Sequence, residues 1–187
     1  MTLLTEALTL RKSNAGDFDR LYFLFTKKLG KISVLVKSGC KLSSKLAPHL
    51  EHLSLTQVML AEGKAGYRLA GTKTISANKT IKNDLLKIGW SSLFLEAIDC
   101  FLPIQESDEL LFNLSKDFLE KLSTAENDQK KHLCFNQYFF KLLEHFGYKP
   151  NNRPATQREL TLTMIKIVET ATDKKLHSAE LINKLLN

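Results

Sequence analysis

The chain is 187 residues long, 43% hydrophobic and 25% charged, a balance that argues against disorder and supplies enough apolar material for a folded core. No apolar run approaches the roughly 20 residues that span a bilayer. The opening MTLLTEALTLRKS has an acid at Glu6 and no basic leader, so no signal peptide is expected and the protein reads as soluble and cytoplasmic.

The net charge of +7 is unevenly spread: residues 1–80 hold 13 Lys and Arg against 5 Asp and Glu, and the remainder 14 against 15. A basic module attracts phosphates and releases their counterions on binding, which points to a polyanionic partner. Lysines kept only for solubility would give the same sum.

In chain order, alternating apolar and polar residues predict five strands: Leu3 to Lys12, Phe18 to Thr26, Ile32 to Lys37, Leu53 to Ala61 and Tyr67 to Ile75. Breakers at Asn14 to Gly16, Leu29-Gly30, Ser38-Gly39, Pro48 and Gly63 to Gly66 separate them. Five strands in under 80 residues suggest a closed barrel of the OB-fold kind. Residues Lys41 to Pro48 could hold the short helix that plugs it.

The second and third strands form a hairpin with a basic turn, Lys27-Lys28-Leu29-Gly30-Lys31. Alternation sets Leu21, Phe23 and Phe25 on one face and Arg20, Tyr22 and Leu24 on the other; Ile32, Val34 and Val36 oppose Ser33, Leu35 and Lys37 in the same way. Taking Arg20, Tyr22 and Lys37 as the outward set, with Lys27, Lys28 and Lys31 at the tip and Lys41 and Lys45 extending the edge, gives a surface of cations and one ring. Such a surface suits a phosphate chain with unstacked bases. Tyr67 and Arg68 form a lesser second pair.

From about Lys79 the period becomes helical. Residues Ile81 to Leu102 are apolar nearly all round and predict the central helix of a bundle. Stripes at Leu110 to Leu122, Leu133 to Phe146 and Leu160 to Ala171 predict further helices. The expected architecture is therefore α+β, a five-stranded OB-fold barrel over residues 1–79 followed by an all-helical domain over 80–187. The run Phe135, Tyr138, Phe139, Phe140 reads as core, with Tyr138 at its rim.

Chemistry-bearing motifs are lacking: no phosphate-binding glycine loop, no dinucleotide fingerprint, no nucleophile elbow and no His-Glu-x-x-His. His49 and His52 lack a third ligand, and Cys40, Cys100 and Cys134 are scattered singly, so neither a metal nor a disulfide is expected. Asp17 and Asp19 could share a cation, but read better as turn residues. No catalytic residue, cofactor or small-molecule substrate is expected.

The order of several segments resembles the RecO family of bacterial recombination mediators: Gly16-Asp17-Phe18-Asp19-Arg20-Leu21, Leu29-Gly30-Lys31, Val36 to Lys41, Ser44 to Leu55, and Gly147-Tyr148-Lys149-Pro150. The resemblance implies an OB-fold with a helical domain, binding of single- and double-stranded DNA, annealing of complementary strands, and RecR-like and single-strand-binding proteins as partners. It implies DNA repair on the nucleoid and no catalytic residue. Many members carry a four-cysteine zinc insertion after Gly-Tyr-x-Pro; this chain passes from Pro150 through Asn151 to a helix, and no zinc is expected. A protein-interaction adaptor or an RNA-binding OB protein is the alternative to an annealing mediator.

Overall fold

A computed structural model describes residues 2–40, 44, 46–63, 66–150 and 155–185. The chain forms two compact units, one of Met1–Asn78 with Leu102–Phe112 and one of Lys79–Phe101 with Asn113–Asn187. Leu102–Phe112, which the sequence grouped with the helices, thus belongs with the strands.

The first unit is a five-stranded barrel: β1 (Thr2–Ala15), β2 (Asp19–Thr26), β3 (Gly30–Val36), β4 (Leu55–Gly63) and β5 (Gly66–Ser76). The strands run in the closed order β1-β2-β3-β5-β4, with β4 pairing back onto β1. This is the order of an OB-fold. All neighbours are antiparallel except β3 and β5, which are parallel and meet at Leu35 and Arg68. The barrel therefore has a seam.

Its interior is filled by Tyr22, Leu24, Ile32, Val34, Val58 and Leu60, among others. At the end of the expected insertion there is a 3₁₀ turn at Ala47–Leu50, with Pro48 in its first positions. Leu46 and Leu50 from this turn pack on the barrel core. Lys41 to Ser43 and Lys45, part of the expected insertion, lie outside the described residues.

The second unit is helical: α1 (Lys79–Lys82), α2 (Leu85–Phe101), α4 (Asp128–His145), α5 (Gln157–Thr172), α6 (His177–Leu185), and the part of α3 (Glu109–Thr124) from Asn113 onward. The predicted single helix over Ile81 to Leu102 is broken at Asn83-Asp84. There the Asp84 carboxylate accepts the Lys87 amide at 3.0 Å and so caps α2. The interior is aromatic: Trp90, Phe135 and Phe139 stack in sequence, and Phe94 lies against Phe118. Two nearly buried lysines bind the α3–α4 turn. Lys87 Nζ donates to the Ser123 carbonyl at 2.7 Å, and Lys131 Nζ pairs with Asp84 at 2.6 Å and Asp128 at 2.8 Å. Hydrogen bonds to these carboxylates, that of Asp128 first, raise the Lys131 pKa, and the Lys131 ammonium lowers that of Asp84 against its burial.

The helix α4 ends as the sequence proposes. Gly147 takes φ +81°, and the amides of Gly147 and Tyr148 return to the carbonyls of Glu144 and Leu143. Phe135 and Phe139 are fully buried and Tyr138 half-buried. Among the described residues no helix is long and apolar enough to cross a membrane.

Candidate nucleic-acid interface

Cross-strand pairing decides which side of the β2–β3 hairpin faces out. Residues directly opposite share a face, and the turn after Thr26 sets Tyr22 against Val34 and Leu24 against Ile32. Because Ile32, Val34 and Val36 must be buried, Tyr22 and Leu24 go with them. Tyr22 is only 1% exposed, so the outward aromatic platform expected at that position is corrected: the ring belongs to the core. Its hydroxyl reaches Arg20 at the barrel mouth, where that hydrogen bond, ahead of the nearby Cys40 thiol, holds the guanidinium pKa above its ordinary value against partial desolvation.

At the basic tip the correction concerns Lys31, which is buried. Phe25 faces out from the hairpin yet is fully buried, because the Phe112 ring meets it edge-on at 5.3 Å. Lys31, opposite Phe25, is 7% exposed, and its Nζ donates to the Leu102 carbonyl at 3.3 Å. Its backbone carbonyl accepts the Gln105 amide at 2.8 Å, and Lys31 bridges to Ile104 as a parallel strand would. Lys27 pairs with Glu109 at 3.1 Å. Of the three tip lysines, Lys28 is the exposed one. The segment Leu102–Phe112 covers this end of the hairpin.

The outer wall beyond that cover has a different set of cations. On one row Arg11 lies opposite Phe23 and Phe23 opposite Ser33; on the next, Ser13, Leu21, Leu35 and Arg68 are successive partners across β1, β2, β3 and β5. The Arg11 guanidinium rests 3.4 Å from the Phe23 ring centroid, a cation–π contact that holds the charge over the sheet. Arg11, Lys37 and Arg68 are exposed, with Leu35 between the last two. Arg20 is half-buried at the mouth. Lys41 and Lys45, proposed on the same edge, are outside the described residues.

Lys37 thus lies on the side of this wall and Arg68 joins it, whereas Arg20 shares the inward face of Tyr22, opposite Val36, and the hairpin tip presents Lys28. Arg11 and Phe23 were missed by the sequence reading. The signal for them was the pairing of two outward positions across β1 and β2, which a bulge between Thr9 and Arg11 hides by shifting the alternation.

Asp19 and His49 are satisfied locally. Asp19 Oδ1 accepts the Ser38 amide at 2.8 Å, closing a turn. His49 Nδ1 shares a 2.8 Å hydrogen bond with the Thr74 hydroxyl. Among the described residues no three His, Cys, Asp or Glu converge on a metal position.

Residues 1–78, the barrel strands, match the family described as Recombination protein O N terminal. Two proteins of Dehalococcoides mccartyi named DNA repair protein RecO are 36% and 35% identical over 149 residues, which cover 80% of this chain and 58% of each relative. A protein of the same name from Clostridium perfringens is 33% identical over 140 residues, 74% of this chain and 56% of that one. The chain thus spans a little over half the length of the curated relatives it matches. Barrel order and the matched N-terminal domain agree: residues 1–78 belong to the RecO N-terminal family, and the chain is similar over about 149 residues to proteins named DNA repair protein RecO.

Proposed function

We propose that this protein binds DNA through the outer wall of the barrel and acts as a recombination mediator that brings complementary strands together. The observation that carries the reading is the wall itself: Arg11 of β1, Lys37 just past the end of β3 and Arg68 of β5 are exposed around apolar Leu21 and Leu35. Cations there hold phosphates, and base edges are left free to pair. Annealing follows from charge neutralisation, because two phosphate chains repel until a polycation lowers the barrier between them. The relatives named DNA repair protein RecO support this assignment, as does the excess of basic residues before residue 80. Recruitment of RecR-like and single-strand-binding proteins, in the cytoplasm on nucleoid DNA, is part of the proposal and rests on the similarity to those relatives.

The test is anisotropy of labelled single strands and duplexes with the intact chain at two salt concentrations, beside a strand-annealing assay. Binding that falls steeply with salt and faster annealing support the reading. Salt-insensitive or absent binding contradicts it, and a strong preference for RNA of the same sequence would replace DNA with RNA as the partner.

A further inference from the structure

Where β3 meets β5 the barrel is closed by one residue pair, and the gap beside it is a groove of about 560 Å³. That lies within the range of roughly 300 to 1,000 Å³ occupied by small-ligand sites. Its floor is apolar, from Leu21, Leu35, Leu46 and Leu69, with Tyr67 on one side and Lys37 and Arg68 at the rim; among the described residues no acidic one lines it.

The backbone of the groove has a polar edge as well. In antiparallel pairs, alternate residues turn their N–H and C=O groups toward the partner strand and away from it. The Lys31 carbonyl points away from β2, since it accepts from Gln105. The two-residue repeat then turns Ser33 and Leu35 the same way, toward the seam. Lys31 is bridged there by Ile104 and Leu35 by Arg68; among the described residues Ser33, between them, has no such bridging partner on that side. Ser33 is exposed and lines the groove.

We propose that this seam holds one unstacked nucleobase of a single strand, with the flanking phosphates on Lys37 and Arg68. A base fits the chemistry on three counts: flat apolar faces for the leucines and Tyr67, a donor and acceptor edge for the Ser33 backbone, and an anion on either side for the cations. Bases stacked within a duplex cannot enter, so the seam gives the wall a preference for single strands. The inference deepens the DNA-binding reading and rests on it.

The test fills the groove from an exposed position with Ser33→Phe and, separately, trims its side with Tyr67→Leu, circular dichroism confirming the fold. Anisotropy is read with a thymidine oligomer, its abasic counterpart and a duplex. The proposal expects the intact protein to prefer the thymidine strand to the abasic one, and each variant to lose about tenfold for thymidine. It expects little change for abasic strand or duplex. Equal losses on all three probes, or no loss on any, overturn base insertion while leaving DNA binding in place. Absence of DNA binding by the unaltered chain overturns the underlying reading instead, and the insertion with it.

Discussion

Gly30 and Glu106 are so close that a Cβ added to Gly30 would fall 1.7 Å from the Glu106 carbonyl oxygen. Gly30 also has φ +65°, a left-handed conformation in which side chains are strained. The β2–β3 turn and the Leu102–Phe112 segment can therefore pack only through a glycine. Gly30→Ala is expected to cost roughly 2 to 4 kcal/mol, from backbone strain and overpacking together. Urea denaturation checks it, and a loss under about 0.5 kcal/mol, the scale of an ordinary surface change, would mean the close packing is absent in solution.

In the helical unit, Glu96 of α2 accepts the amides of His177 and Ser178 at 2.8 Å each, capping α6 from a neighbouring helix. Glu96→Ala leaves both amides without this acceptor and is expected to destabilise α6 by about 1 to 2 kcal/mol. Glu96→Gln, which keeps one acceptor oxygen, costs less. Hydrogen exchange over 177–185 reads the difference, and equal protection in all three proteins would contradict the cap.

His132 stacks on Trp90 with ring centroids 5.0 Å apart, and its Nε2 meets the Thr161 hydroxyl at 2.7 Å. Burial lowers its pKa below the ordinary histidine value. The unfolded chain then takes up the proton first as pH falls, so the stability associated with neutral His132 is fully present above about pH 6.5. It is lost progressively as pH drops from there through the folded pKa. His132→Asn is expected to flatten the stability profile across that window. A slope identical to that of the unaltered protein would assign the acid sensitivity elsewhere.

The barrel was legible because its strands alternate strongly and are bounded by Gly, Pro and Asn, and all five predicted segments coincide with strands to within a few residues. The helical stripes were legible for the same reason, apart from the break at Asp84 and the short α6, for which no stripe was named. Which side of the hairpin faces out was not. Both faces of β2 carry large apolar residues, since Tyr22 and Leu24 fill the barrel while Phe25 is buried against Phe112. Alternation alone cannot order two apolar faces; register against β3 can. The fate of Lys27 and Lys31 depended on contacts about 70 to 80 residues away in sequence, at Leu102 and Glu109, where no local pattern reports.

The most direct test of the account compares two charge reversals in one salt-titrated binding experiment: Arg11→Glu with Arg68→Glu on the wall, and Lys27→Glu with Lys28→Glu at the tip. If the wall holds the phosphates, the first double variant loses single-strand affinity by an order of magnitude or more, and its dependence of log K on log salt becomes shallower by about 1.4, two contacts' worth. The tip variant changes far less, because Lys27 is engaged by Glu109. The reverse result, an intact affinity for the wall variant and a large loss at the tip, would contradict the proposed interface.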